Sequence, residues 1–413
     1  MQLPDEFIRR TRALMGDERF EQYLRSFDEE PPVSIRLNPL KTQGWQPAGS
    51  SEPVPWCTGG YYLSSRPQFT FDPLFHAGCY YVQEAASMFL DEVLRQTLSI
   101  VNCQLSIDMC AAPGGKSTLL RSALPQGCVL YSNEPIRQRA SILLENVQKW
   151  GYADHLVTNL YPRDYRKSKM KFDLILCDVP CSGEGMFRKD GATIREWSPQ
   201  NVEKCWMLQR DIVSDAWQCL NDGGILIYST CTFNTKENEE NIRWMLSELD
   251  ARVLPVETRP EWHITGSLLP GFSELVYRFI PGISRSEGLF MCVLRKGKKT
   301  LPHPLPVREG SRYSTKSQPS RLMAPLPHRE GSGESLPFPL TYSQALAYLR
   351  HEALALPPDT PRGLVEVCFE GIPLGLAKNI GTRANNLYPK EWRIKSTHTP
   401  QDYTPVLEPK VND

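Results

Sequence analysis

A doubly wound, mostly parallel α/β sheet is the fold this sequence predicts for residues 103–299, flanked by smaller modules on both sides. Three observations predict it. Short apolar runs rich in β-branched residues recur at Leu105–Met109, Val129–Asn133, Asp173–Cys177 and Ile225–Ser229. Helical stretches alternate with them at Ser117–Leu124, Pro135–Trp150 and Gln200–Leu220. A turn of small residues joins the first run to the first helix. Short buried strands alternating with helices specify parallel strands with helices on both faces. Ligands of such sheets bind at the carboxyl ends of the strands, so the residues after each run are the ones to inspect.

The remaining elements follow in chain order. Residues 1–102 form an aromatic- and proline-rich α+β region. Glu6 to Phe27 is amphipathic and reads as a helical hairpin, and Pro32 to Asn38 as a strand. Trp56, Tyr61, Tyr62, Phe69 and Phe71 supply core before a helix expected from Gln83 to Leu94. Residues 300–337 are rich in Pro, Ser, Gly and charge and read as a disordered linker. Within it Pro304 to Ser311 recurs, nearly unchanged, as Pro325 to Ser332. Residues 338–413 read as a small C-terminal module, α+β or β.

The chain has 413 residues, 40% hydrophobic and 23% charged, with a formal net charge of zero. A globally basic nucleic-acid binder is thereby excluded; any such surface must be local. The first residues carry no basic, apolar leader. No apolar run approaches the ~18 residues that span a bilayer. The twelve cysteines include no CxxC pair and no zinc-type spacing with histidine. The expectation is a cytoplasmic protein with free thiols, no metal and no membrane contact. Without coiled-coil heptads, a monomer is expected.

Cys110, Ala111, Ala112, Pro113, Gly114, Gly115 and Lys116 form the turn between the first strand and its helix. Small residues let a ligand approach the backbone, and a helix N-terminus offers N–H donors. Gly115-Lys116-Ser117 matches the tail of a phosphate-binding P-loop, but that motif needs glycine where Cys110 stands. The second strand ends at Glu134, a carboxylate where the hydroxyls of a ribose are usually held. An adenosine cofactor that needs no phosphate grip fits both features, and S-adenosylmethionine is such a molecule. The plain alternative for Glu134 is a helix-capping acid before Pro135.

The fourth strand runs into Asp178-Val179-Pro180-Cys181, and the fifth into Ser229-Thr230-Cys231. Two cysteines at neighbouring strand ends suit methylation of an unactivated aromatic carbon. Carbon 5 of cytosine is a poor nucleophile until a thiolate adds at carbon 6, and a nearby acid such as Asp178 must then serve ring nitrogen 3. An amino-group methyltransferase would carry an aromatic at the end of the proline turn, where this chain has Cys181.

At these residues the chain resembles the Sun/Nop family of RNA cytosine-5 methyltransferases, in its bacterial RsmF-like ribosomal RNA branch. Cys110–Lys116 is similar to the family's cofactor loop, Asp178–Gly183 to its proline-cysteine motif, and Ser229–Thr232 to its threonine-cysteine motif. The resemblance implies a Rossmann-like class I methyltransferase domain using S-adenosylmethionine, with Cys231 as nucleophile and Cys181 assisting product release. It further implies that Asp178 serves the base and the cofactor's methionine end, and that Glu134 binds ribose. Arg36-Leu37-Asn38, Asp72–Gly78 and Gln83–Ala85 resemble the family's N-terminal RNA-binding region. Gly375–Lys378 and Asn386–Arg393 resemble a PUA-like module. One position departs: where the family has an acid for the adenine amino group, this chain has Tyr161, with Asp164 as a substitute within reach.

Three basic stretches are candidate RNA surfaces: Arg163 to Lys171; Arg295, Lys296, Lys298 and Lys299; and Lys378, Arg383, Lys390, Arg393 and Lys395 beside Tyr388 and Trp392. Small-subunit ribosomal RNA is the expected substrate. Transfer RNA, a P-loop ATPase and a non-catalytic RNA-binding scaffold are the alternatives.

Overall fold

The computed structural model describes residues 2–297, 338–396, 398, 400 and 402–410. The expected linker 300–337 with its repeat, and Lys298 and Lys299, lie outside them.

The first of two compact units comprises, among the described residues, 2–31, 89–144 and 154–297. Its sheet is built from β1 (Leu105–Asp108), β2 (Val129–Asn133), β3 (His155–Thr158), β4 (Phe172–Asp178), β5 (Leu220–Thr230), β6 (Ala251–Val253), β7 (Tyr277–Phe279) and β8 (Leu289–Lys296). The order is β6-β8-β5-β4-β1-β2-β3, with β7 paired to β8. β1 to β5 run parallel, while β8 is antiparallel to β5, β6 and β7. The sheet is thus doubly wound and mostly parallel, as the alternating pattern predicts. Its order reverses at β1 and β4, so the crevice lies above their carboxyl ends.

Burial on both faces explains why the strands read as apolar runs rather than alternations. Ile107, Leu174 to Cys177 and Ile225 to Tyr228 are fully buried. The helices are α1 (Gly115–Ala123), α2 (Arg137–Trp150), α3 (Pro162–Ser168), α4 (Pro199–Cys219) and α5 (Glu239–Glu248). Ile212, Val213, Ala216 and Trp217 of α4 and Ile242 and Met245 of α5 join the sheet core. The predicted hairpin is present as helices Asp5–Met15 and Asp17–Arg25, broken by Gly16 at φ 78°. Its Phe7, Phe20 and Tyr23 pack with Phe187, Trp197 and Phe233.

The second unit comprises 32–88, 145–153 and the described residues from 338 to 410. An antiparallel sheet of 51–53, 60–63, 33–37 and 80–82 shares one core with the sheet of 338–339, 363–369, 372–379 and 384–386. Leu407–Pro409 pairs with Trp45–Pro47. The grouping cuts across chain order, because the apolar faces of 33–82 and 338–407 bury each other.

Several polar residues of the N-terminal segment expected to meet RNA are instead buried. Arg36 is 3% exposed, bonds Gln83 through Nε at 2.8 Å and stacks on Trp150. Asn38 is fully buried and donates to the Gly78 and Trp150 carbonyls at 2.8 Å each. Asp72 and His76 are buried too. These residues build the unit; they do not present a surface.

Candidate active site

The cofactor-type loop leaves β1 at Asp108 and enters α1 through Gly114, whose φ of 117° lies in the left-handed region that favours glycine. Asp108 is 1% exposed, and its Oδ2 accepts from Ser117 Oγ at 2.6 Å. Burial pushes its carboxyl up to about 7. Lys116 Nζ donates to Asp178 Oδ2 at 2.9 Å, and Ser229 Oγ donates to Asp178 Oδ1 at 2.6 Å. Burial works against the Lys116 charge, but the charge and hydrogen bond of Asp178 outweigh it and hold the ammonium above its usual range. At the end of β2, buried Glu134 accepts from the Ile136 N–H at 2.9 Å and pairs with Arg139 at 3.3 Å. It therefore does cap the turn into α2.

These residues fit S-adenosylmethionine better than a triphosphate. The loop's single cation is already paired with Asp178, so a phosphate chain would find no free ammonium. The surrounding carboxylates (Asp108, Glu134 and Asp178) suit a cofactor that bears a sulfonium and an ammonium.

The raised Asp108 pKa has a measurable consequence. Its carboxyl holds a proton more tightly in the folded chain than in the unfolded one. The stability it lends in acid is therefore lost as pH rises through about 7. Between pH about 5 and pH about 7, the wild type should lose about 2 kcal/mol relative to Asp108→Asn, which cannot titrate. Denaturant unfolding at several pH values reads this out, and parallel stability curves would refute the assignment.

The parallel pairing of β4 and β5 sets Asp178 opposite Ser229. Each chain continues from there into its cysteine, and the two meet. Cys181 Sγ and Cys231 Sγ are 3.1 Å apart, a thiol hydrogen bond, and the Cys231 N–H donates to Cys181 Sγ at 3.3 Å. Both are free thiols and half-buried. The hydrogen bond to Cys231, and then burial, push the Cys181 thiol well up. Cys181 thus keeps its proton beside the Cys231 sulfur. Thiolate character is what a nucleophilic cysteine needs.

Beneath the thiols lies a polar network that the motifs do not reveal. Glu184, 2% exposed, accepts from Trp197 Nε1 at 2.9 Å and from the Phe233 and Asn234 N–H groups at 2.8 Å. Glu237 accepts from the Ser182 backbone and side chain, Gln209 and Asn234. Ser182 Oγ and Thr232 Oγ1, each one residue past a cysteine, bond at 2.8 Å. Glu184 adjoins the proline-cysteine motif, which was a usable signal. Glu237 and Gln209 had none, since neither charge nor period marks them as buried.

The departure at Tyr161 resolves as local structure. Tyr161 is 51% exposed beneath the Arg163 guanidinium, and Asp164 accepts the Tyr161 N–H at 3.0 Å as the N-terminal cap of α3. Asp164 is thus engaged at home. Two basic stretches are also partly spent. Arg166 pairs with Asp215, Lys171 donates to the Gln218 carbonyl, and Lys296 is buried, donating to the Trp217 and Leu220 carbonyls. In the C-terminal module Tyr388 is 4% exposed, packed on Tyr348 and Trp392, so it is core and not a stacking platform. Arg393 and Lys395 remain exposed and, with Arg350, Glu352 and Ser396, line a cleft of about 510 Å³.

Comparison with known proteins follows the same division of the chain. The family of 16S rRNA methyltransferase RsmB/F matches residues 95–295, the N-terminal domain of 16S rRNA methyltransferase RsmF matches 3–85, and the methyltransferase RsmF PUA domain matches 335–394. Ribosomal RNA small subunit methyltransferase F of Erwinia tasmaniensis is 27% identical over 94% of this chain and 96% of its own. The protein of the same name from Aliivibrio salmonicida is 31% identical over 75% of this chain and 67% of its own. A crystal structure of a methyltransferase homologue from Pyrococcus horikoshii superposes with a TM-score of 0.57 at 26% identity, covering 71% of this chain and 100% of that one.

Proposed function

This chain belongs to the RsmB/F family of 16S rRNA methyltransferases, in its RsmF branch, and from that premise we propose that it methylates cytosine carbon 5 through a covalent bond to Cys231. The observation that carries the covalent route is the pair of free thiols 3.1 Å apart, at the ends of β4 and β5 beside the cofactor loop. An enzyme that methylated nitrogen would need neither.

S-adenosylmethionine, when bound, supplies the electrophilic sulfonium methyl that carbon 5 takes up. The Cys110–Lys116 loop, Glu134 and the methionine-facing side of Asp178 would hold it. Cys231 Sγ adds to carbon 6 of cytosine, so that ring electrons move onto carbon 5. Asp178 keeps lone pairs beyond those taken by Lys116 and Ser229, and these can accept from the exocyclic amino group of the cytosine or from ring nitrogen 3 once it is protonated. After methylation a solvent water takes the carbon-5 proton as base, the C–H electron pair restores the 5,6 double bond, and the Cys231–carbon 6 bond breaks with its electrons returning to sulfur as thiolate. Cys181, which keeps its proton beside that sulfur, assists the departure. The target cytosine must be unpaired or flipped out, because stacking shields carbons 5 and 6.

Small-subunit ribosomal RNA is the substrate this reading commits to, with transfer RNA as the alternative. We also infer a cytoplasmic monomer; among the described residues no helix is long and apolar enough to cross a membrane. The paired state of Lys116 disfavours the P-loop ATPase reading.

A denaturing gel of Cys181→Ala with S-adenosylmethionine and 16S ribosomal RNA tests the route. A slow, ribonuclease-sensitive band that vanishes when Cys231 is also replaced is the expected result. Active wild-type enzyme with no such band would remove the release role of Cys181.

RNA grip by the C-terminal module is tested on its exposed cations. Deleting 338–413 would strip half of a shared core and confound the result. Arg393→Gln with Lys395→Gln should instead weaken RNA binding and lower the slope of log affinity against log salt by about 0.7 per lost phosphate contact, sparing cofactor binding. An unchanged slope would exclude this cleft from RNA binding.

A further inference from the structure

We propose that Glu237 is a positioning residue that holds Cys181 against Cys231 and so governs release of the methylated RNA, a role that rests on the reading of Cys181 given above. Glu237 is fully buried in the loop between β5 and α5. Its carboxylate accepts four hydrogen bonds: from the Ser182 N–H at 3.0 Å, Ser182 Oγ at 2.5 Å, Gln209 Nε2 at 2.7 Å and Asn234 Nδ2 at 2.7 Å. Two of these donors belong to the residue immediately after Cys181. Gln209 Nε2 also donates to the Pro180 carbonyl at 2.9 Å, the residue immediately before it. One carboxylate and its amide partner therefore grip the Cys181 backbone from both sides.

Cys231 is anchored differently. It continues directly from β5, whose last residues from Ile225 pair with β4 and β8, and its carbonyl accepts from the Gly185 N–H at 2.9 Å. Thr232 is fastened to Asn238, whose Nδ2 donates to the Thr232 carbonyl at 2.9 Å. Loss of Glu237 should loosen Cys181 while leaving Cys231 in place.

The residue type supports the role. All four partners donate, and a carboxylate only accepts; glutamine would turn an NH₂ group onto at least one donor. The partners are neutral, so burial is uncompensated by a cation and raises the carboxyl to about 7. A group retained at that cost beside a reactive pair points to function rather than packing.

The test compares Glu237→Gln and Gln209→Leu with Cys181→Ala in the full chain, using S-adenosylmethionine and 16S ribosomal RNA. Single-turnover methyl transfer should stay within about threefold of wild type, because the nucleophile remains in place. Steady-state turnover should fall by about 10- to 100-fold, the scale of an ångström-level misplacement. A ribonuclease-sensitive slow band should accumulate on a denaturing gel, more strongly for Glu237→Gln than for Gln209→Leu. Single-turnover and steady-state rates that fall together with no band, or that match wild type, overturn the proposal. If Glu237→Gln fails to fold, judged by cofactor binding and thermal melting, Gln209→Leu carries the test, since it removes one of the four bonds. A band in Cys181→Ala but in neither other variant overturns the role of Glu237 alone. No band in Cys181→Ala on RNA that the wild type methylates overturns the release role and this proposal together.

Discussion

Cys231→Ala should abolish methyl transfer to RNA while S-adenosylmethionine still binds. The side chain is half-buried just past β5, and neither the Lys116–Asp178 nor the Ser117–Asp108 hydrogen bond involves its sulfur. Removing it leaves the loop, Glu134 and the Lys116–Asp178 pair intact and deletes the one group that can open the pyrimidine to attack. Cys181, 3.1 Å away, does not substitute, because its thiol is pushed well up and stays protonated. Residual transfer above about 1% of wild type would argue that carbon 5 is activated by something other than this thiolate. Tritium release from the cytosine ring, alongside isothermal titration with the cofactor, separates lost chemistry from lost binding.

Arg278→Met should cost the fold more than any replacement in the site. Arg278 is 1% exposed and Glu239 fully buried. The guanidinium bonds both Glu239 oxygens, at 3.0 and 2.5 Å, and also the Phe233 carbonyl at 2.9 Å. Methionine keeps the volume but strands a carboxylate in the interior. A buried pair broken on one side loses about 3–5 kcal/mol, most of it the penalty of the charge left behind. The drop should appear as a lower denaturant midpoint. Adding Glu239→Gln to Arg278→Met should recover part of the loss, because it removes the stranded charge. A double variant less stable than the single one would mean that the Leu268 N–H bond to Glu239, and not the ion pair, carries the energy. Since Phe233 and its neighbours support the loop after Cys231, activity should fall with stability rather than ahead of it.

The sheet and the reactive residues were legible in the sequence because their signals are local. Strands buried on both faces declare themselves as short apolar runs, and a doubly wound sheet places its chemistry on the few residues that follow each run. Glu134, Asp178 and Cys231 could therefore be set at strand ends before any contact was known, and the Cys110–Lys116 turn announced itself by its small residues; Asp108 was not singled out. The helices between the sheet strands were close to their expected spans, Pro199–Cys219 against Gln200–Leu220 for the longest, whereas the helix expected from Gln83 to Leu94 runs from Phe89 to Thr97 after a 3-10 turn at Ala86–Met88. Less local was the fate of the charged and aromatic residues. Arg36, Asn38, Lys296 and Tyr388 have the composition of a binding surface and are all buried. A side chain's exposure depends on what distant segment covers it, which composition does not report.

What the sequence determined by itself is thus the order of strands and turns and the chemical kit at their ends. Only the tertiary structure decided that residues 33–82 and 338–407 share one core, that Lys116 is spent on Asp178, and that Cys181 and Cys231 touch. It alone brought Glu237 and Gln209 to either side of Cys181. The reason is physical. Periodicity and turn chemistry act over a few neighbouring residues, whereas a 3.1 Å contact between thiols fifty residues apart is set by the register of two strands and by a buried carboxylate that closes the loops beneath them.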